Sequence, residues 1–348
     1  MPSTETLNTI TRWLNYVVAI PFLMLGIIGA ILTVIIFTRR HQFWRNASAA
    51  YLLAGAALTG IHLPSIYTQS ILVHGFGLGV FNTNKIACQE HNYLLYMTTV
   101  AAISFPCWAA FDQFASTCRN ARFRNRWSSI HVVRCAIVGT VIFWTVVYLP
   151  VIFVSDVVNG LCVMTASTYT TFNTFFFTPL VYSVGPLTVM ILCTIGTMRN
   201  LRSIQGVQRQ SHITKQVRRM LIPQMVVLGL SGIPFGFQGI YFELTSQVVK
   251  DEFRLALENF FSQVILLLYH CNYVCPFYIY LYMSIEVRKD LKKLIFKGLR
   301  RNHIEPTVNT INTETCRHTL NTTRHPASKL NVVFQKAHPS ISLINIPE

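Results

Sequence analysis

The sequence predicts an all-α membrane protein, a bundle of seven transmembrane helices followed by a short amphipathic helix. Three observations carry this. Of the 348 residues, 52% are hydrophobic and only 12% are charged, about half the charged fraction of a soluble domain. Seven apolar segments, each long enough for a hydrocarbon layer of roughly 30 Å, alternate with polar stretches. Lysine and arginine are confined almost entirely to every second connection. A net charge of +16 would point to nucleic acid in a soluble protein. Segregated in this way it sets orientation in a membrane, and no nucleic-acid partner is expected.

Residues 1–12 are a polar head, expected outside the cell. Span 1 is expected from Trp13 to Phe37, with Arg39, Arg40, His41 and Arg45 after it. Span 2, Ala47 to about Leu72, is rich in Ala and Gly, which lets helices approach closely in lipid. Gly75, Gly77, Gly79 and Asn82 then mark a loop. Span 3 runs from Ile86 to Thr117. From Cys88 at its head to Asp112 at its foot a helix would rise about 36 Å, slightly more than the hydrocarbon thickness.

Span 4 is expected over Val132–Val154 and span 5 over Asn173–Met198, followed by a basic linker, Arg199 to Arg219. Span 6 runs from about Val217 to Glu243. After an acidic loop, span 7 covers about Leu255 to Met283 and completes a bundle over residues 13–284. Pro186, Pro234 and Pro276 fall inside spans 5, 6 and 7 and are expected as hinges. Neighbouring groups in a bundle can satisfy the carbonyls that proline frees, and the helix kinks. In 285–297, Val287, Leu291, Leu294 and Ile295 share one helix face opposite Arg288, Lys289, Lys292 and Lys293, a pattern for an anionic membrane surface. Residues 298–348 are polar and Thr/Asn-rich, which predicts a disordered cytoplasmic tail.

Orientation follows from the basic residues. All but Arg12, Lys85, Lys250 and Arg254 of the 29 lysines and arginines lie after spans 1, 3 and 5 or in the tail. The positive-inside rule then puts the N-terminus outside and the C-terminus in the cytosol, which requires an odd number of spans. In that topology Cys88 and Cys162 are the cysteines in loop-like context on the outer side, where an oxidising compartment permits a disulfide. No CxxC pair, clustered nucleophile, metal-ligand set or phosphate loop is present. No enzyme, cofactor or metal is therefore expected.

These residues in this order resemble a rhodopsin-like (class A) G-protein-coupled receptor, of the invertebrate FMRFamide-receptor type. The likeness rests on the cysteine heading span 3, Trp144 in span 4, Tyr51-Leu52-Leu53 in span 2, the prolines of spans 5–7, Pro276-Phe277-Tyr278 and the basic surface helix. It covers about residues 13–297. Several signature positions differ. The family's Asp-Arg-Tyr reads Asp112-Gln113-Phe114, its span 6 Trp-x-Pro reads Gly232-Ile233-Pro234, and its Asn-Pro-x-x-Tyr reads Cys275-Pro276-Phe277-Tyr278-Ile279, with Tyr280 one place late. Thr59 stands for the span 2 aspartate and offers no charged oxygen to a sodium ion.

The resemblance implies a plasma-membrane receptor that couples an extracellular ligand to a heterotrimeric G protein, with membrane lipid as a further partner. The coupling region would be Asp112, Gln113, Phe114, Arg218 and Arg219. An arginine (Arg119, Arg218 or Arg219) or water is expected beside Asp112. Leu95 and Tyr269 stand where amine receptors and opsins carry their aspartate and lysine, which disfavours both ligand types. The remaining acidic and aromatic mouth suits a small cationic peptide such as one ending in Arg-Phe amide. Candidate ligand residues are Glu90, His91, Tyr96, Glu243 and Tyr269, with Glu90 and Glu243 expected to face the bundle. A receptor-shaped protein with weak coupling, and less so a small transporter or channel, are the alternatives.

Overall fold

A computed structural model describes residues 3–39, 46–158, 160–165, 167–203, 212–246 and 248–302. Arg40, His41, Arg45, most of the linker after span 5 and the tail from residue 303 lie outside the described residues. Among those described, seven helices are long and apolar enough to cross a membrane: Thr4–Arg39, Ala47–Val73, Lys85–Thr117, Ile130–Val154, Thr168–Arg202, Arg219–Leu244 and Glu252–Met283. The protein is a multi-pass, all-α membrane protein with seven spans.

Span 3 is the axis of the bundle. Its 33 residues rise about 50 Å, and half of its most apolar window is buried against 17% for spans 4 and 5. Asn84 caps its start, its side chain accepting from the Ile86 N–H at 2.9 Å. Val100, Ala101, Phe105, Ala109 and Ala110 are all buried. Alanines on this face bring span 2 close, and close packing carries helix association where lipid is as apolar as the core. Glycine serves the same end at Gly26, where a Cβ would lie 2.6 Å from Leu63 and 2.8 Å from Val274.

Indoles stitch span 4 to the axis. Trp108 Nε1 donates to Thr140 Oγ1 at 2.9 Å, and Trp144 Nε1 donates to Ser104 Oγ at 2.9 Å. The far side of span 4, with Val138, Ile142, Phe143 and Val146, is exposed and forms a lipid-facing surface.

Four features differ from the sequence expectation. The polar head is a helix, Thr4–Leu14, joined to span 1 through a π-helical turn at Asn15–Ala19. Ser3 caps it by accepting from the Thr6 N–H, and Leu7 and Thr11, one turn apart, form its buried face. The basic run after span 3 contains a short helix, Ala121–Trp127, capped by Asn120. The loop after span 4 is an antiparallel hairpin, β1 (Ser155–Val158) and β2 (Leu161–Met164), with Val157 opposite Cys162. The surface helix follows span 7 directly and extends over Ile285–Asn302.

Further π-helical turns occur at Leu63–Tyr67, Asn173–Phe177 and Leu180–Val184. Pro64 sits inside the first and Pro186 just beyond the last. The wider turn absorbs the hydrogen bond that proline cannot make. All four π turns lie in the half of the bundle nearer the hairpin.

Candidate functional site

At one end, span 3 is joined covalently to the hairpin by the Cys88–Cys162 disulfide, as the sequence predicts. Polar contacts fix the hairpin further. Asn92 Nδ2 donates to Ser155 Oγ at 3.1 Å, and the Cys162 N–H donates to Asn82 Oδ1 at 3.1 Å. Lys85 Nζ donates to Asp156 Oδ2 at 2.8 Å. That hydrogen bond, with a second from the Val157 N–H, holds the Asp156 carboxyl below its ordinary pKa.

Beneath the hairpin a belt of rings crosses the bundle. Tyr148 of span 4 stacks on Tyr96 of span 3 at 5.5 Å between centroids, and Tyr96 meets Tyr182 of span 5 edge-on at 6.4 Å. Tyr182 contacts Tyr269 of span 7, which stacks on Phe235 of span 6 at 4.0 Å. Tyr269 meets Tyr273 at 6.0 Å, and Tyr273 stacks on His62 of span 2 at 4.5 Å. His270 completes the row against Tyr67 at 3.8 Å. Six of the seven spans therefore contribute a ring to one connected array. Ring pairs at these separations stabilise by about 0.5–1.5 kcal/mol each.

The two imidazoles have defined tautomers. Thr98 Oγ1 donates to Leu94 O at 2.6 Å, so His62 Nδ1, 3.0 Å away, donates to that hydroxyl. His270 Nδ1 lies 2.7 Å from Leu266 O, which can only accept.

The candidate ligand residues separate into three places. Tyr96 and Tyr269 belong to the belt. His91 stacks on Phe81 at 4.6 Å near the mouth. Glu90 and Glu243 are exposed, each near an end of its helix. The acidity of the mouth is partly spent internally: Glu258 accepts from Lys250 at 2.6 Å, from Arg254 at 3.0 Å and from Tyr241 Oη at 2.8 Å. Tyr148, Tyr182, Phe235, His62 and His270 are belt members that the sequence reading did not select. Their signal was an unusual density of polar aromatics within spans.

At the opposite end Asp112 is buried. The hydroxyl of Ser48 donates to its Oδ2, and that of Ser128 donates to Oδ1 at 2.8 Å. Gln113 Nε2 donates to Ser48 Oγ at 2.7 Å. Among the described side chains the partners of Asp112 are the hydroxyls of Ser48, at the start of span 2, and Ser128, in the connection after span 3. Arg219 is exposed, and the side chain of Arg218 lies outside the described residues. Phe114 packs against Gly196 of span 5, where a Cβ would stand 2.7 Å from the ring. Gln113 is 2% exposed, and its Oε1 has no hydrogen-bond partner among the described residues.

Between these two ends lies a cavity of about 60 Å³, lined by residues that include Thr59, Gln224, Asn272, Pro276 and Tyr280. That is room for roughly four waters. Gln224 Nε2 donates to Tyr280 Oη at 2.8 Å, and Asn272 Nδ2 donates to Ser231 Oγ at 2.7 Å, so both bonds tie span 6 to span 7. Pro234 and Pro276 lie inside these two helices. Among the described residues no cluster of three or more His, Cys, Asp or Glu side chains could hold a metal. Compared with known proteins, the chain is matched by no protein-family model and by no curated protein.

Proposed function

We propose that the chain is a seven-helix plasma-membrane receptor of the rhodopsin-like kind. Its N-terminus is outside, it responds to an extracellular ligand of small-peptide type, and it signals to a cytoplasmic G protein. The observation that carries the reading is the construction of span 3. One end is bonded covalently to a hairpin above a ring belt that joins six spans. The other end is held by Ser48 and Ser128 beside the basic connection. A ligand that repacks the belt biases all six helices together. It shifts the population toward a state with the inner end of span 6 displaced, provided that it binds this state more tightly. Glu90, His91 and Glu243 would meet a cationic peptide at the mouth, with Tyr96 and Tyr269 below. Pro186, Pro234 and Pro276 would serve as hinges. The charge distribution supports the orientation, and the surface helix would lie on anionic lipid.

A second reading is favoured by one specific observation: Gln113 is buried, uncharged and tied to Ser48. A receptor-shaped protein that couples weakly fits that feature. Ligand-dependent GTP loading on a co-expressed G protein, read across a neuropeptide library, tests both. A saturable peptide response supports the receptor. Specific peptide binding without GTP loading supports the second reading. Ligand-free current or uptake in vesicles, with no peptide binding, overturns both in favour of a channel or transporter. An N-terminal epitope that is inaccessible on intact cells overturns the orientation.

A further inference from the structure

Two adjoining open crevices of about 550 and 450 Å³ share Asn8 of the N-terminal helix and Asn259 of span 7 in their walls; the first is walled also by Val73, Gly75 and Gly77 at the end of span 2, the second by Glu252, Leu255 and Ala256 of span 7. Pockets of a few hundred Å³ are the size that holds small ligands. The first crevice contains Arg12, and the second contains Glu252 and Thr4.

Arg12 stands apart from the other described cations at this end of the bundle. Lys85, Lys250 and Arg254 each meet a carboxylate. Among the described residues, Arg12 meets no carboxylate and Glu252 meets no cation. The groove is therefore bipolar, with one free guanidinium, one free carboxylate and neutral amides between them.

Its placement relative to the apolar surface is also defined. Trp13, 62% exposed, follows Arg12 directly, and Val17 and Val18 continue an exposed apolar face. Arg12 thus sits at the edge of that surface, with a tryptophan of the type that marks a membrane interface. Thr4, on the wall beside Glu252, precedes Arg12 by eight residues of chain, about 12 Å of helix. In a membrane crossed by span 1 the carboxylate would lie on the water side and the guanidinium on the hydrocarbon side.

We propose that this groove is a binding site for the headgroup of a zwitterionic membrane phospholipid. The phosphate would lie on Arg12, the ammonium toward Glu252, and the acyl chains would run down past Trp13. A guanidinium fork matches phosphate oxygens. The order of charges away from the hydrocarbon, phosphate first and amine second, is the order in which the groove presents its partners. A purely anionic headgroup would leave Glu252 facing negative charge, and that asymmetry makes the site selective. The inference needs the membrane placement of span 1 and is independent of the receptor reading.

The test uses the full-length protein purified from bilayers of equal phosphatidylcholine and phosphatidylglycerol, exchanged into detergent and weighed intact by native mass spectrometry. The unmodified protein is expected to retain phosphatidylcholine in preference to phosphatidylglycerol. Arg12→Gln lowers phosphatidylcholine retention at least roughly tenfold, the loss of one charge-assisted bond. Glu252→Gln keeps retention but shifts the ratio toward phosphatidylglycerol, which misfolding would not do. Lys85→Gln, at a different ion pair, leaves the ratio unchanged, and an intact Cys88–Cys162 disulfide reports folding in each variant. The proposal is overturned if Arg12→Gln retains as much lipid as the unmodified protein, or if Glu252→Gln leaves the ratio where it was. Binding of free glycerophosphocholine at least as tightly as phosphatidylcholine would show that the acyl chains add nothing, identify a soluble phosphate ester as the occupant and overturn the lipid assignment.

Discussion

Replacing Ser48 by alanine removes one hydroxyl that serves two buried neighbours. In the folded protein Ser48 Oγ donates to Asp112 and accepts from Gln113 Nε2. A hydrogen bond to an ionised carboxylate contributes about 1.5–3 kcal/mol, and an orphaned buried amide donor costs about 1–3 kcal/mol. Gln113 already carries one unsatisfied amide oxygen, so a second orphan on the same side chain adds to an existing deficit. Ser128 still holds the other carboxylate oxygen and limits the damage. Ser48→Ala is therefore expected to destabilise the protein by about 3 kcal/mol, roughly 150-fold in the folding equilibrium. The assay is reversible unfolding in mixed micelles followed by tryptophan fluorescence, extended to a double-mutant cycle with Gln113→Ala. If the bonds form one network, the two losses fall short of additivity by about 1 kcal/mol or more. A loss under about 0.5 kcal/mol for Ser48→Ala, or strict additivity, would refute the reasoning. On the receptor reading, the same variant should raise GTP loading without ligand.

Cys162→Ser opens a loop closed across a sequence separation of 74 residues. The chain-entropy relation puts this at about 4 kcal/mol. Maleimide labelling of Cys88 checks the opening, and on the receptor reading loss of peptide response is expected with it. Gln224→Leu combined with Tyr280→Phe should show a coupling of about 1 kcal/mol in a double-mutant cycle, the contribution of the bond between spans 6 and 7. For Asp156, Lys85 favours the charged form in the folded protein. The stabilisation is therefore fully present above about pH 4, the ordinary carboxylate value, and is lost as pH falls through the lower folded value. The Tm difference between the unmodified protein and Lys85→Gln should be constant at neutral and mildly acidic pH and shrink as pH falls below the ordinary carboxylate value. A difference that grows on acidification would count against the pair.

The elements set by composition were readable from the chain. A run of apolar residues across a hydrocarbon layer has almost no alternative to a helix, so the seven spans and the surface helix after Met283 emerged near their observed limits. Cys88 and Cys162 emerged because loop placement left them together. Elements fixed by contact were less accessible. The helix Thr4–Leu14 is polar on average, and its buried face, Leu7 and Thr11, has meaning only against span 7. The partners of Asp112 lie 64 and 16 residues away in sequence, and nothing local to Ser48 or Ser128 marks them. Tyr96 and Tyr269 were selected by position. Tyr182, which connects them, could be found only by knowing which face of span 5 turns inward, and two π turns in that span defeat a simple count of residues.

Those π turns bear on how such a chain can change. Each accommodates one extra residue, and deleting that residue would return the turn to α-helical geometry, re-aiming the side chains within the turn while the segments on either side keep their phase. At Asn15–Ala19, Leu63–Tyr67, Asn173–Phe177 and Leu180–Val184 the bundle therefore has four sites where a single insertion or deletion re-aims side chains. All four act on the half beneath the hairpin, and none alters the register around Ser48, Asp112 and Tyr280. The two halves are free to diverge at different rates: the upper surface can be re-dealt one codon at a time over a lower half that keeps its contacts.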